Sequence, residues 1–213
     1  MRRMLTCLIV FVLSSFEVSA GSERQPVWSS HAQLLKVDSI GRYGKILSPD
    51  GVLEFSFDGN NYSFKDLHGA VIARLPDYIS APELVELDWS SNSGKVFVNA
   101  SDGGASGTWH TQVFVRSATG LTEMLVEELI EQVSTLESSC KEKNVGAVGW
   151  LKNKSYLLLL EQVPASSGCT NMGSVTGYIV DVEKMSIVDR LTAHQLKAKF
   201  RRLLGAQGRA SVE

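Results

Sequence analysis

The side chains best suited to chemistry or recognition gather in one loop, Ser101-Asp102-Gly103-Gly104-Ala105-Ser106-Gly107-Thr108-Trp109-His110. Ser101, Asp102 and His110 supply the three residue types of a hydrolytic triad. A glycine-rich stretch is a poor frame for groups that need sub-ångström placement, so the triad is not expected here. The loop is better suited to recognition. Ser101, Asp102 and Ser106 offer polar contacts, while Trp109 and His110 would anchor a partner at its base. The competing expectation is a plain hairpin connection with Trp109 tucked onto the neighbouring sheet.

Other catalytic templates fail. His31, His68, His110 and His194 have no metal-ligand spacing to one another or to a cysteine, so no metal is expected. The chain has no Gly-x-Ser-x-Gly elbow, His-Glu-x-x-His helix, P-loop or dinucleotide fingerprint, and no cofactor is expected. Ser138-Ser139-Cys140-Lys141 contains a Ser-x-x-Lys spacing, but its partner motifs are missing and chance accounts for it. No catalytic residue is assigned. A binding role is favoured, and the alternative is a hydrolase whose polar residues converge without a linear motif.

Charge narrows the partners. A formal net charge of -2 and an isoelectric point near 6.1 provide no field to attract nucleic acid or anionic lipid. The first residues read as an export leader: Arg2 and Arg3, an apolar run from Met4 to Leu13, then Val18-Ser19-Ala20 before Gly21. Cleavage near Ala20-Gly21 would release a chain with no stable membrane anchor into a periplasm or secretory compartment. Cys7 would leave with the leader. In an oxidising compartment the two cysteines left, Cys140 and Cys169, are expected to pair. Sequons at Asn61, Asn99 and Asn153 lean weakly towards a glycosylated eukaryotic protein, whereas the low cysteine density favours a bacterial periplasm.

These residues must be positioned by a β-rich framework. Short apolar or alternating runs separated by Gly, Asn, Asp and Ser dominate residues 32–191, and three segments repeat an order of strands and turns. One unit passes through Ser48-Pro49-Asp50-Gly51, Val52–Phe57, Tyr62–Leu67 and Val71–Leu75. The next starts at Leu87-Asp88-Trp89-Ser90, turns at Asn92-Ser93-Gly94 and returns through Thr111–Ser117. A third begins Val148-Gly149-Trp150 and continues Ser155–Val163, Gly177–Val182 and Ile187–Leu191. The tryptophans Trp28, Trp89 and Trp150 are expected in the core.

The units resemble blades of TolB-type and WD-type β-propellers. Ser48–Gly51 matches the turn after the first blade strand, and Phe64–Gly69 and Val115–Gly120 match the turn between the last two. The resemblance implies a mainly β, propeller-like or partial-propeller antiparallel meander, with room for roughly four blades of ~40–45 residues. Two helices interrupt it: an amphipathic one over Leu121–Glu137, and a C-terminal one from the capping-box spacing at Thr192 to Gly205. The expected organisation is a leader over 1–20, one β-rich domain over 21–205 and a flexible tail over 206–213.

Size, export and loop style also make the chain look like small periplasmic immunity proteins, which guard bacteria against secreted hydrolases. That likeness implies a protein partner, a secreted hydrolase, engaged by the Ser101–Gly107 loop.

Overall fold

The computed structural model describes residues 24–38, 40–76, 82–103, 108–134, 143–151, 155–165 and 167–213. After a short β1 (Gln33–Leu34) come three antiparallel meanders. The first is β2 (Gly44–Leu47), β3 (Leu53–Phe57), β4 (Tyr62–Asp66) and β5 (Val71–Arg74). The second is β6 (Val85–Trp89), β7 (Lys95–Ser101), β8 (Trp109–Ser117) and β9 (Gly120–Met124), with β1 paired to the free side of β6. The third is β10 (Asn144–Trp150), β11 (Tyr156–Gln162), β12 (Val175–Asp181) and β13 (Ser186–Thr192). Helix α1 (Val126–Val133) joins the second sheet to the third, and α2 (Ala193–Phe200) and α3 (Ala206–Val212) follow the last strand. The fold is mainly β and propeller-like, with three blade-like units in the described residues.

The repeat is written in the turns. Ser48 donates from its hydroxyl to Asp50, and its backbone carbonyl accepts from Gly51, which sits at a φ of 70°. Ser90 repeats this with Asn92 and with Ser93, at a φ of 55°. In both, the serine oxygen also accepts the amide five residues on, from Leu53 and Lys95. These side-chain bonds replace backbone pairing lost at the bend. The third unit keeps the five-residue closure, with Leu151 donating to the Tyr156 carbonyl, but replaces serine by leucine.

The sheets stack because their inner strands are apolar on both faces. In β7, Val96, Val98 and Ala100 join one core with Phe55, Phe64 and Leu87, while Phe97 turns to the third sheet. In β11, Leu157 and Leu159 meet the second sheet, and Leu158 and Leu160 meet Leu196 and Leu204 of the C-terminal segment. All four leucines are fully buried. Each contributes about 1.5–3 kcal/mol of transfer free energy, and truncating one to alanine would cost ~2–5 kcal/mol.

Three boundaries differ from the sequence reading. Leu121–Met124 is the fourth strand of the second unit, paired with β8 from Ser117↔Gly120 onward, so the helix begins only at Val126. Gly120 at a φ of 133° makes the turn that admits this strand. The capping box at Thr192 and Gln195 forms, but α2 ends by Phe200. Gly205 then starts α3, where a Cβ would lie 2.5 Å from the Val27 carbonyl oxygen. Residues 206–213, expected to be a flexible tail, form that helix because Val212 buries against the Leu158, Leu160 and Leu204 cluster.

Candidate functional site

Antiparallel order sends the turns after the first and third strands of each unit to one end of the stack, and the connections between second and third strands, long in the last two units, to the other. Contacts between turns confirm the first set: the Asp50 amide donates to Ser93 Oγ, and Arg116 pairs with Asp50 at 2.7 Å. The loop singled out by sequence lies at the opposite, long-connection end.

Its described members are engaged within the fold. Ser101 is buried at the end of β7, where its hydroxyl accepts from the Gly103 amide. The Asp102 amide donates to the Thr108 carbonyl, closing the hairpin. Trp109 packs edge-on against Trp28, ring centroids 6.3 Å apart, and its amide donates to Asn144. His110 sits 3.2 Å from Glu127 of α1, whose carboxylate also accepts from the Thr111 amide. The Glu127 hydrogen bond pushes His110 up, against the opposing effect of burial. These bonds fasten α1 to the start of β8. Ser106 lies outside the described residues, as does Cys140, the expected partner of Cys169.

The seam between the second and third sheets holds a group that sequence reasoning missed. Glu86 of β6 is fully buried. Its carboxylate accepts from the amides of Val27, Trp28 and Ser29 at 2.6–3.1 Å, and from Asn99 Nδ2 at 2.8 Å. Burial raises its pKa, and these donors pull against that. Asn99 continues the network, accepting from Thr111 and from the Ala147 amide and donating to the Ala147 carbonyl. An N-terminal strap is thereby sealed into the seam. Trp28 lies flat against Gly146, where a Cβ would come within 2.1 Å of its ring. Both side-chain atoms of the Asn99 sequon are bonded in the core, so the folded chain presents no free amide for a glycan there.

At the short-turn end the same seam opens into a cleft of about 370 Å³. Its lining includes His31, Asp88, Ser90, Ser91, Gly149 and Trp150. Asp88 pairs with Phe97 across β6 and β7, so its side chain shares the face turned to the third sheet. Phe97 packs at a tilt against Trp150, ring centroids 6.1 Å apart, and Trp150 Nε1 donates to the Asp88 carbonyl at 3.2 Å. Burial pushes the Asp88 carboxyl up to about 7; the Trp89 amide opposes this and the charge of Glu86 reinforces it. A carboxyl that titrates near neutrality inside a cleft can hold or release a proton, or bind a cation. Of the three tryptophans expected in the core, Trp28 and Trp89 are buried, whereas Trp150 is half-buried on the cleft wall. Asp88 was visible only as part of a repeated strand end, because no linear spacing marks a burial effect. Among the described residues no cluster of His, Cys, Asp or Glu is arranged to hold a metal ion.

No family model and no curated protein matches the chain. Among solved structures it is similar to a periplasmic gluconolactonase, PpgL, from Pseudomonas aeruginosa, at 16% identity and a TM-score of 0.36. The match covers 79% of this chain and 49% of that one, so the chain spans about half the length of the structure it matches. Likeness this distant carries no argument about activity. Among the described residues no helix is long and apolar enough to cross a membrane.

Proposed function

We propose that this chain is an exported binding protein that takes its ligand into the cleft at the short-turn end. One observation carries the reading: Asp88, a carboxyl shifted to about 7, lies in a cleft walled by Trp150 and His31. Concave sites with a few convergent polar groups and a perturbed titration are where ligands bind. The leader over residues 1–20 and its cleavage near Ala20-Gly21 belong to this proposal, as does the Cys140–Cys169 bridge. The bridge is supported by Cys169, whose sulfur is disulfide-bonded. With Ser101, Trp109 and His110 engaged internally, a loop-borne grip on a secreted hydrolase would fall to residues 104–107, and the cleft is the better-founded site.

Gly149 provides the test. A Cβ added there meets nothing within 4 Å, so Gly149→Phe starts a ring from open space at the cleft wall. Trp150 fluorescence reports a screen of small polar compounds against both proteins. Ligands that quench the wild type should lose at least about tenfold in affinity on the substituted chain. Equal affinity on a folded Gly149→Phe would place binding elsewhere.

A second reading, a hydrolase, is favoured by the gathering of His31, Asp88, Ser90 and Ser91 in one cleft. Ser90 is committed to its turn through Asn92 and Lys95, which leaves Ser91 as the hydroxyl for such chemistry. Hydrolysis of an activated ester that disappears in both Ser91→Ala and His31→Ala would select it.

A further inference from the structure

Among the described residues the fully buried acids are matched, and the half-buried Asp88 is not. Glu86 accepts four N–H bonds. Glu161 accepts from Tyr178 and Ser134 and lies 3.3 Å from Lys143. Asp181 is held by two turn amides and Lys184. Asp88 finds the Trp89 amide alone, and among the described residues no lysine or arginine pairs with it. The cleft around it is walled largely by apolar and aromatic groups, Trp89, Trp150, Leu151 and Leu203, with the Ser90 and Ser91 hydroxyls on its rim. The titratable neighbours are Glu86, on the same face of β6, and His31, from the N-terminal strap. A half-desolvated carboxyl beside an indole ring is the complement of a positive group on an apolar stem. The charge pairs with the carboxylate, and the ring face and stem exclude water from the pair.

We propose that the cleft binds an organic cation, a primary ammonium or a guanidinium on a short aliphatic chain, with Asp88 as its counter-ion and Trp150 as its wall. The inference rests on the reading of the cleft as the binding site. A volume of about 370 Å³ suits one small ligand or one long cationic side chain. The same chemistry is offered by a free diamine and by a lysine of another protein, so the probes separate the two sources. Binding favours the ionised carboxylate, and therefore releases a proton below the pH at which Asp88 titrates freely. His31 lines the same cleft as a second titratable group, and His31→Gln takes it out of the comparison.

Calorimetry with cadaverine, agmatine, the neutral isostere 1,5-pentanediol and the blocked peptide acetyl-Gly-Lys-Gly-amide makes the test. Cadaverine or agmatine should bind at least tenfold more tightly than the diol, and Asp88→Asn should erase that preference. In the His31→Gln background, affinity should fall about tenfold between about pH 8 and pH 6, following the ionised fraction of the carboxyl. A preference for the peptide over the free amines would assign the cation to a partner protein; the reverse preference would assign it to a metabolite. The inference is overturned if the diol binds as tightly as the diamine, if Asp88→Asn keeps the preference, or if no cation binds at millimolar concentration. A neutral ligand lost in Gly149→Phe would still leave the cleft as the binding site. A screen with no cleft-dependent ligand at all would remove both readings.

Discussion

Two carboxylates stand two residues apart on the same face of one strand and meet opposite treatment. Glu86 is enclosed at the sealed part of the seam, where the strap brings three amides and Asn99 brings a fourth donor. Asp88 lies where the strap no longer covers the seam, and burial there goes uncompensated. A buried charge with a full set of donors works as a structural fastener, and one without them is driven towards its neutral, protonated form. The contrast separates the closed end of this inter-sheet seam from its open end.

The largest effect should come from breaking the fastener. Glu86→Ala leaves the amides of Val27, Trp28 and Ser29 and the Asn99 amide group without their acceptor in the core. The expected loss is ~3–5 kcal/mol, measured by urea denaturation. The strap should also lose its protection from amide hydrogen exchange. A loss below about 1 kcal/mol would mean that Trp28 packing over Gly146, and not the carboxylate, holds the strap.

The open end predicts a change of opposite sign. Burial raises the folded pKa of Asp88 to about 7, from the ordinary aspartate value of 3.8. The ionised carboxyl therefore disfavours the fold, and stability from this group is lost as pH rises from near 3.8 through about 7. Asp88→Asn removes the charge. It should stabilise by ~1–2 kcal/mol at about pH 8, after discounting for partial exposure, with the gain fading by about pH 4. Parallel denaturation series at the two pH values check it. A variant destabilised at both would show that Asp88 has a structural partner, and the two carboxylates would no longer differ in kind.

Much of the framework was legible in the sequence because hairpin turns leave residue-level marks. Ser48-Pro49-Asp50-Gly51 and Ser90–Gly94 were recognised as equivalent, and the bonds of Ser48 and Ser90 show why. The amphipathic period of Val126–Val133 also survived. Its boundary did not, because Leu121–Met124 carries the same apolar spacing in a strand as in a helix, and pairing with β8 decides. The candidate site was the least legible. Trp109 looked like a loop anchor because nothing local reveals Trp28, which lies far away in the chain and packs against it. Asp88 looked unremarkable because its character comes from burial between two sheets, a property of the stack. Asn99 likewise carries a sequon that only its network disqualifies.

A third carboxylate sharpens the comparison with the smallest effect. Asp50, in a turn at the same end as the cleft, is exposed and is lowered to about 2, first by the Ser48 hydroxyl, then by the Val52 amide and Arg116, despite some burial. Its lowered pKa contributes stability that is present above about 3.8 and lost as pH falls through about 2. Asn92 performs the same turn-closing role beside Ser90 without a charge, so Asp50→Asn should keep the turn and lose only the pairing with Arg116. The expected cost is under ~1 kcal/mol at neutral pH, and it should shrink further in high salt. Urea midpoints at low and high salt decide the matter. A salt-insensitive loss above about 2 kcal/mol would mean that this turn depends on the carboxylate itself, and that the two serine-pinned turns are not equivalent after all.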